Sequence, residues 1–238
     1  TSIIAPRALA DFFSSSKVIS FGACATQLFF WSLLGTTEVL LLAVMAYDRF
    51  LAICSPLRYP MTMSPTMCAC LVLGSYCGGC LNSILQTSLT FQLPFCSSNR
   101  INHFFCDVSP LLQLACADTT LNELLMFSVC GFIAVSCTVI VLVSYGYITV
   151  TVLRMHSGTR GQKIFSTCGS HLTAVCLFYG TLIVIYAQPG DVESTEQGKV
   201  VSIFYTQVIP MLNPLIYSLR NKDVKDALRR LGQRRPDL

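Results

Sequence analysis

Five long apolar stretches constrain the fold of this chain more than any other feature of its sequence. They cover residues 20–53, 67–90, 122–153, 164–187 and 199–220. Each reaches the roughly 20 residues that an α-helix needs to cross the hydrocarbon core of a bilayer. Only 12% of the 238 residues are charged, about half the share found in soluble domains. We therefore predict an all-α fold, a polytopic bundle of membrane-spanning helices.

Basic residues are distributed unevenly among the segments that connect these stretches. One alternating set of connections holds Arg58, Arg154, Lys163 and the basic tail 220–235, whereas the other set is poor in basic residues and more acidic. The positive-inside rule places the basic set in the cytoplasm. All five stretches alternate consistently under this orientation.

The end of the chain carries a second helical pattern. Between residues 222 and 231, Val224, Leu228 and Leu231 recur at helical spacing among lysines and arginines. This pattern predicts a short amphipathic helix on the inner leaflet, with a solvated basic tail as the alternative. Residues 1–6 read like the end of an apolar helix, so we expect the chain to begin inside a longer protein.

Four of the 13 cysteines lie at or beyond the ends of apolar stretches: Cys24, Cys96, Cys106 and Cys116. The predicted orientation puts all four on the extracellular side, where an oxidising environment permits disulfides. Four cysteines allow three pairings, and these residues alone do not choose among them. The pair Cys77 and Cys80 has the spacing of a redox or metal motif but lies inside an apolar stretch. We interpret its intervening glycines as a surface for close helix packing.

The first long stretch carries its functional side chains on one face. At 100° per residue, Cys24, Trp31, Glu38 and Arg49 fall within about 40° of one another. Ionisable residues inside a membrane usually face the bundle interior. Alternatively, Trp31 is an interface anchor and Glu38 a structural, hydrogen-bonded carboxyl. Their shared stripe with Arg49 favours an inward-facing helix.

Residues 45–54, reading MAYDRFLAIC and followed by SPLRY, closely resemble the third-helix signature of odorant receptors, a rhodopsin-like G-protein-coupled receptor family. The segment KIFSTCGSHL at 163–172 resembles the sixth-helix motif of that family, and PMLNPLIYSLRN at 210–221 resembles its seventh-helix motif. Segments between residues 93 and 116 resemble its long second extracellular loop. The short acidic loop 191–199 is similar to that of the tetrapod-type class.

The resemblance implies that residues 1–238 form one receptor domain containing the third to seventh receptor helices and the end of the second. It also implies disulfides joining Cys24 with Cys106 and Cys96 with Cys116, and a sodium site at Glu38. The expected partners are a small volatile odorant, membrane lipid and a stimulatory, olfactory-type G protein that raises cAMP. We expect no cofactor and no nucleic acid. The expected location is the plasma membrane, in the cilia of olfactory sensory neurons.

The predicted ligand pocket lies between the helices, below Cys24, and is mainly apolar with a few hydroxyl groups, as ligand sites in helical bundles are. Such a lining suits a small neutral volatile better than an ion or a peptide. Its predicted residues are Trp31, Ser32, Gly35, Thr36, Val129, Ile133, Tyr179, Leu182, Tyr186, Ile203 and Thr206.

A second set of residues is predicted to couple the pocket to the G protein: Asp48, Arg49, Tyr145, Lys163, His171, Asn213, Pro214 and Tyr217. By resemblance, Arg49, Tyr145 and Tyr217 line the cytoplasmic cleft that receives the G protein. His171 has a titratable side chain, but a buried, hydrogen-bonded histidine is the commoner arrangement.

Several other classes of protein fit the sequence poorly. An enzyme is disfavoured because we find no metal cluster, nucleophile elbow or phosphate loop in the sequence. An opsin would need a lysine in the last stretch, and an aminergic receptor would need an acid near Trp31. A truncated, non-signalling receptor product remains the main alternative. A transporter or channel fragment fits the composition but would not predict matches at four separate segments.

Overall fold

The computed structural model describes residues 18–96, 100–101, 103–154, 168–169 and 171–180, together with isolated positions near the two ends. Within this part of the chain the helices are α1 (Phe21–Cys54), α2 (Tyr59–Thr62), α3 (Pro65–Phe91), α4 (Val108–Leu112), α5 (Thr120–Arg154) and α6 (His171–Gly180). The predicted stretch 199–220, the tail helix 222–231 and much of 164–187 lie outside the described residues.

Three of these helices are long and apolar enough to cross a membrane: α1, α3 and α5. They occupy the places of the first three apolar stretches, and the predicted all-α helical bundle is confirmed. At about 1.5 Å per residue, α1 with 34 residues and α5 with 35 residues exceed the thickness of the hydrocarbon core. Such helices tilt in the bilayer or extend beyond it.

Local sequence signals mark where the helices begin. The Ser20 hydroxyl accepts a hydrogen bond from the backbone N–H of Ala23 at 3.3 Å, and Ser64 accepts one from Met67 at 3.3 Å. Both are N-caps that satisfy otherwise unpaired N–H groups. Pro65 follows Ser64 at the first helical position, where its missing N–H costs nothing. The α5 helix starts beside Asp118, whose carboxylate accepts from the backbone N–H of Thr120 at 3.0 Å.

The surfaces of the long helices are apolar, whereas their contacts with one another include many small and polar residues. On α5, Phe127, Phe132 and Leu153 are each more than 70% exposed. The buried residues of α3 are all small or polar: Ser75, Gly79, Asn82, Ser83, Gln86 and Thr90. This reverses the pattern of a soluble protein and is typical of helices whose outer surface faces lipid.

The α1 helix occupies the centre of the described bundle and packs against both α3 and α5. Its approach to α3 depends on Gly79, because a Cβ there would lie 2.7 Å from the carbonyl oxygen of Leu33 and closer still to the Thr37 hydroxyl. The neighbouring cysteines, Cys77 and Cys80, are free thiols. The glycines between them therefore serve helix packing, as the sequence indicated.

Candidate functional site

The extracellular end of α1 is attached to the loop that connects α3 and α5. A disulfide joins Cys24 to Cys106. One turn along α1, the Gln27 side-chain oxygen accepts a hydrogen bond from the backbone N–H of Cys106 at 2.9 Å. Cys24, Cys106 and Leu28 are all less than 5% exposed and share an apolar cluster with α4. The loop is thus held down on the end of the helix bundle.

Aromatic residues of the same loop lie over the tryptophan of α1. The ring of Phe105 meets the ring of Trp31 edge-on, with 5.6 Å between their centroids. Phe105 is 4% exposed, and the rings of His103 and Phe104 contact it at 4.5 and 5.0 Å. The loop therefore covers Trp31 with an aromatic surface.

A second disulfide, between Cys96 and Cys116, closes the outer part of the loop. Beside it, Phe95 and Ala115 form an isolated antiparallel bridge, and the Cys116 N–H donates to the Pro94 carbonyl at 2.9 Å. Both disulfides link the cysteines that the family resemblance paired. Together the two disulfides tie the described part of this loop to α1 and fix Cys96 beside Cys116.

Below the loop, polar side chains join α1, α3 and α5. The Ser32 hydroxyl donates to the Gln86 side-chain oxygen at 2.9 Å, and the Asn82 amide donates to the Thr36 hydroxyl at 2.8 Å. The Gln86 amide nitrogen lies 3.0 Å from the Cys130 sulfur on α5. We call these five residues the polar junction.

The described part of the chain contains seven of the eleven predicted pocket residues, and their role in ligand binding stays a prediction. Trp31, Ser32, Gly35 and Thr36 follow one another along α1, and Val129 and Ile133 are half-buried on α5. The hydroxyls of Ser32 and Thr36 are both engaged with α3. Tyr179 packs against the apolar cluster that contains Leu42 and Val141, about three turns below Trp31. The other predicted pocket residues lie outside the described part of the chain: Leu182, Tyr186, Ile203 and Thr206.

Sequence reasoning missed the contributions of α3 and of the extracellular loop. It assigned no pocket residue to α3, although Asn82 and Gln86 are polar residues four apart in an apolar helix. That spacing puts both on one face, and polar residues within a membrane helix usually face the bundle. Gln27 and Phe105 had no comparable signal, because their partners depend on how the loop folds back.

Near the cytoplasmic end, the side chain of His171 on α6 forms hydrogen bonds to both α5 and α1. Its Nδ1 lies 2.6 Å from the Tyr145 hydroxyl oxygen on α5, and its Nε2 lies 3.0 Å from the Leu42 carbonyl oxygen on α1. A carbonyl only accepts, so Nε2 carries the proton and Nδ1 accepts from Tyr145. His171 is 2% exposed.

The charged pair at the end of α1 is linked to the following loop. The Tyr59 hydroxyl of α2 donates to the Asp48 carboxylate at 2.8 Å. This hydrogen bond, followed by burial and the negative charge of Asp48, raises the pKa of Tyr59 above the usual 10.0. Arg49 is half-buried beside Asp48. Lys163, Asn213, Pro214 and Tyr217, also predicted for coupling, lie outside the described residues.

One further contact and one half-buried carboxyl group lie along α1. Near its cytoplasmic end the Cys54 sulfur lies 3.3 Å from the Thr151 hydroxyl of α5. Midway along the helix, Glu38 is half-buried. The sodium site that the resemblance implies at Glu38 stays a prediction.

These features define a membrane helical bundle with a disulfide-anchored extracellular loop and a polar contact between helices at the cytoplasmic end. A sequence model of the family described as "Olfactory receptor" matches residues 1–234. The chain therefore belongs to the olfactory receptor family, as its motifs predicted, and it is a receptor rather than an enzyme.

Individual relatives are similar over almost the whole chain. The mouse protein "Olfactory receptor 9S13" is 79% identical over 234 residues, which is 98% of this chain and 70% of the relative. The human "Olfactory receptor OR9H1" is 60% identical over 98% of this chain and 76% of its own length. The mouse "Olfactory receptor 5AR1" is 53% identical over 99% of this chain and 76% of its own length.

Proposed function

We propose that this receptor binds small, mainly apolar volatile molecules between its helices and activates a stimulatory, olfactory-type G protein, raising cAMP. We further propose that it acts in the plasma membrane of the cilia of olfactory sensory neurons. The observation that carries the proposal is the position of His171, whose ring joins α6 to both α1 and α5.

The ligand-binding half of the proposal is supported by the surroundings of Trp31. This ring lies beneath Phe105 and one residue from Ser32, so apolar surface and hydrogen-bonding groups occur together. Such a combination suits a small molecule that is mainly apolar and carries few polar atoms. The site lies below a loop that two disulfides hold in place, which limits access for larger ligands.

The coupling half of the proposal follows from the bonds of His171. Any movement of α6 away from α1 and α5 must break the hydrogen bonds to Leu42 and Tyr145. These bonds therefore favour one arrangement of the cytoplasmic ends over another. A ligand that binds the alternative arrangement more tightly shifts the population toward it, whereas equal binding would shift nothing.

The test is a cAMP assay in cells that express the receptor with an olfactory-type stimulatory Gα subunit, screened against a panel of volatiles. We expect at least one volatile to raise cAMP, and Arg49→Ala to abolish that response while surface staining persists. Arg100→Ala, which removes an exposed arginine from the extracellular loop, is the matched control.

Two results would contradict the proposal. Full signalling by Arg49→Ala would remove the coupling assignment. If wild-type receptor reached the cell surface and no volatile raised cAMP, a non-signalling product would explain the sequence better.

A further inference from the structure

Gln86 lies where α1, α3 and α5 meet, and its amide group has one good hydrogen bond and two poor ones. Its oxygen accepts from the Ser32 hydroxyl at 2.9 Å. Its nitrogen donates to the Cys130 sulfur at 3.0 Å and to the Asn82 oxygen at 3.4 Å. A thiol sulfur is a weak acceptor, and 3.4 Å is long for a bond between nitrogen and oxygen. The buried amide nitrogen therefore lacks a strong acceptor.

This nitrogen lies at the edge of the ligand site proposed above. The side-chain oxygen of Gln86 bonds to Ser32, which is itself a residue of the predicted pocket. One turn further along α1, a Cβ added to Gly35 would meet no described atom within 4 Å. Among the residues that the structure describes, α1 therefore has open space beside Gly35, one turn from Ser32.

Two other hydrogen bonds of the junction have good geometry. The Ser32 hydroxyl proton is donated to Gln86, and the Asn82 amide donates to Thr36. A ligand that took the place of Gln86 on the Ser32 proton, or of Thr36 on the Asn82 amide, would break a good hydrogen bond inside the membrane, where water does not replace it. The Gln86 N–H that faces the Cys130 sulfur exchanges its partner at less cost than either of these two bonds, because a thiol sulfur is a weak acceptor.

We propose that Gln86 is a selectivity residue of the odorant site, donating its amide N–H to the oxygen of a ketone, aldehyde, ester or alcohol odorant. The inference rests on the proposed function. A ligand oxygen is a stronger acceptor than the Cys130 sulfur, which it replaces, while the bond between Ser32 and Gln86 stays intact. A hydrocarbon of the same shape forms no such bond and gains nothing from Gln86.

The test compares pairs of volatiles that share one carbon skeleton, such as a cyclic ketone and the corresponding cycloalkane, in the cAMP assay. Wild-type receptor should respond at lower concentration to the oxygenated member. Gln86→Met should raise the half-maximal concentration for that member roughly tenfold, the size expected for one buried hydrogen bond. The response to the hydrocarbon should stay within about twofold.

Two further variants sharpen the result. Cys130→Ala removes the acceptor that competes with the ligand, so it should lower the half-maximal concentration for the oxygenated member. Gln92→Met makes the same chemical change as Gln86→Met at an exposed residue, the C-cap that follows the last residue of α3. It should leave both responses at the wild-type level. If Gln86→Met fails to reach the cell surface, Gln86→Leu replaces it in the same measurement.

Four outcomes would overturn the proposal. Equal weakening of both responses in Gln86→Met, with normal surface staining, would make Gln86 a packing residue only. A wild-type receptor that preferred the hydrocarbons, or a Cys130→Ala variant with weaker oxygenated responses, would contradict the donor role while leaving odorant reception in place. A receptor silent to every volatile would remove the proposed function and this inference with it.

Discussion

The hydroxyl oxygen of Tyr145 lies 2.6 Å from Nδ1 of His171, and this hydrogen bond joins α5 to α6. The opposite nitrogen of the same ring bonds to the Leu42 carbonyl of α1. One imidazole therefore holds three helices together near the cytoplasmic end of the described bundle.

Removing the Tyr145 hydroxyl should destabilise the receptor. Tyr145→Phe leaves the buried Nδ1 without its donor, which costs about 1 kcal/mol. In a double-mutant cycle with His171→Leu, the two effects should be non-additive because both variants remove the same bond. The measurement is thermal unfolding of the purified receptor in detergent.

The control for this experiment is Tyr147→Phe, which removes a hydroxyl from a residue on α5 that is 59% exposed. It should leave the melting temperature unchanged. Strictly additive effects of Tyr145→Phe and His171→Leu would show that the two side chains do not interact in the membrane protein.

Close packing of α3 on α1 should make Gly79 intolerant of a side chain. Gly79→Ala places a methyl group against the Thr37 hydroxyl and the backbone of Leu33. We expect a loss of about 1–3 kcal/mol, as for other overpacked sites. Melting temperature and surface staining report the effect.

Gly74→Ala, in the same helix, is the matched control, because its Cβ would meet no atom of the described residues within 4 Å. Alanine favours helix formation over glycine by roughly 0.5–1 kcal/mol, so this variant should be neutral or slightly more stable. Equal behaviour of the two variants would contradict the close approach at Gly79.

The two disulfides should differ in importance. Cys24→Ser and Cys106→Ser should each abolish the odorant response. The double variant should behave like the single variants, because all three lack the same disulfide. Cys96→Ser should have a smaller effect, since its bond spans a sequence separation of 20 rather than 82. A shorter closed loop restricts the unfolded chain less.

The assay for the disulfides combines cAMP dose–response curves with surface staining of each variant. Unequal responses of Cys24→Ser and Cys106→Ser would argue against their shared bond. A loss in Cys96→Ser as large as that in Cys24→Ser would show that the outer loop is as critical as the anchor on α1.

Ionisation of Tyr59 should depend on Asp48. Because the folded protein raises the pKa of Tyr59, the hydrogen bond contributes stability below the usual pKa. That contribution is lost as the pH rises through the raised value. Asp48→Asn removes the negative charge and should lower the pKa of Tyr59 toward 10.0.

The measurement is a pH titration of receptor labelled with carbon-13 at the tyrosine Cζ, followed by NMR. Tyr59→Phe identifies the resonance by its disappearance. A titration of Tyr59 that is identical in wild-type and Asp48→Asn receptor would mean that the hydrogen bond between them contributes nothing.

The sequence by itself determined the helical class, the membrane environment and the family. Length and charge were enough to locate the apolar stretches that α1, α3 and α5 occupy, because a span depends on the local run of residues and not on its neighbours. The family followed from contiguous motifs, above all residues 45–54. The polar positions on α3 were also visible in the sequence, although they were not assigned to the site.

Only the tertiary structure decided which side chains meet. Ser32 and Gln86 are 54 residues apart, and Tyr145 and His171 are 26 apart. Their contacts depend on how each helix is rotated about its axis and how the helices cross. A shift of one residue along a helix changes the direction of a side chain by about 100°. For the same reason the residues alone left three cysteine pairings open, whereas the folded loop joins Cys24 to Cys106 and lays Phe105 over Trp31.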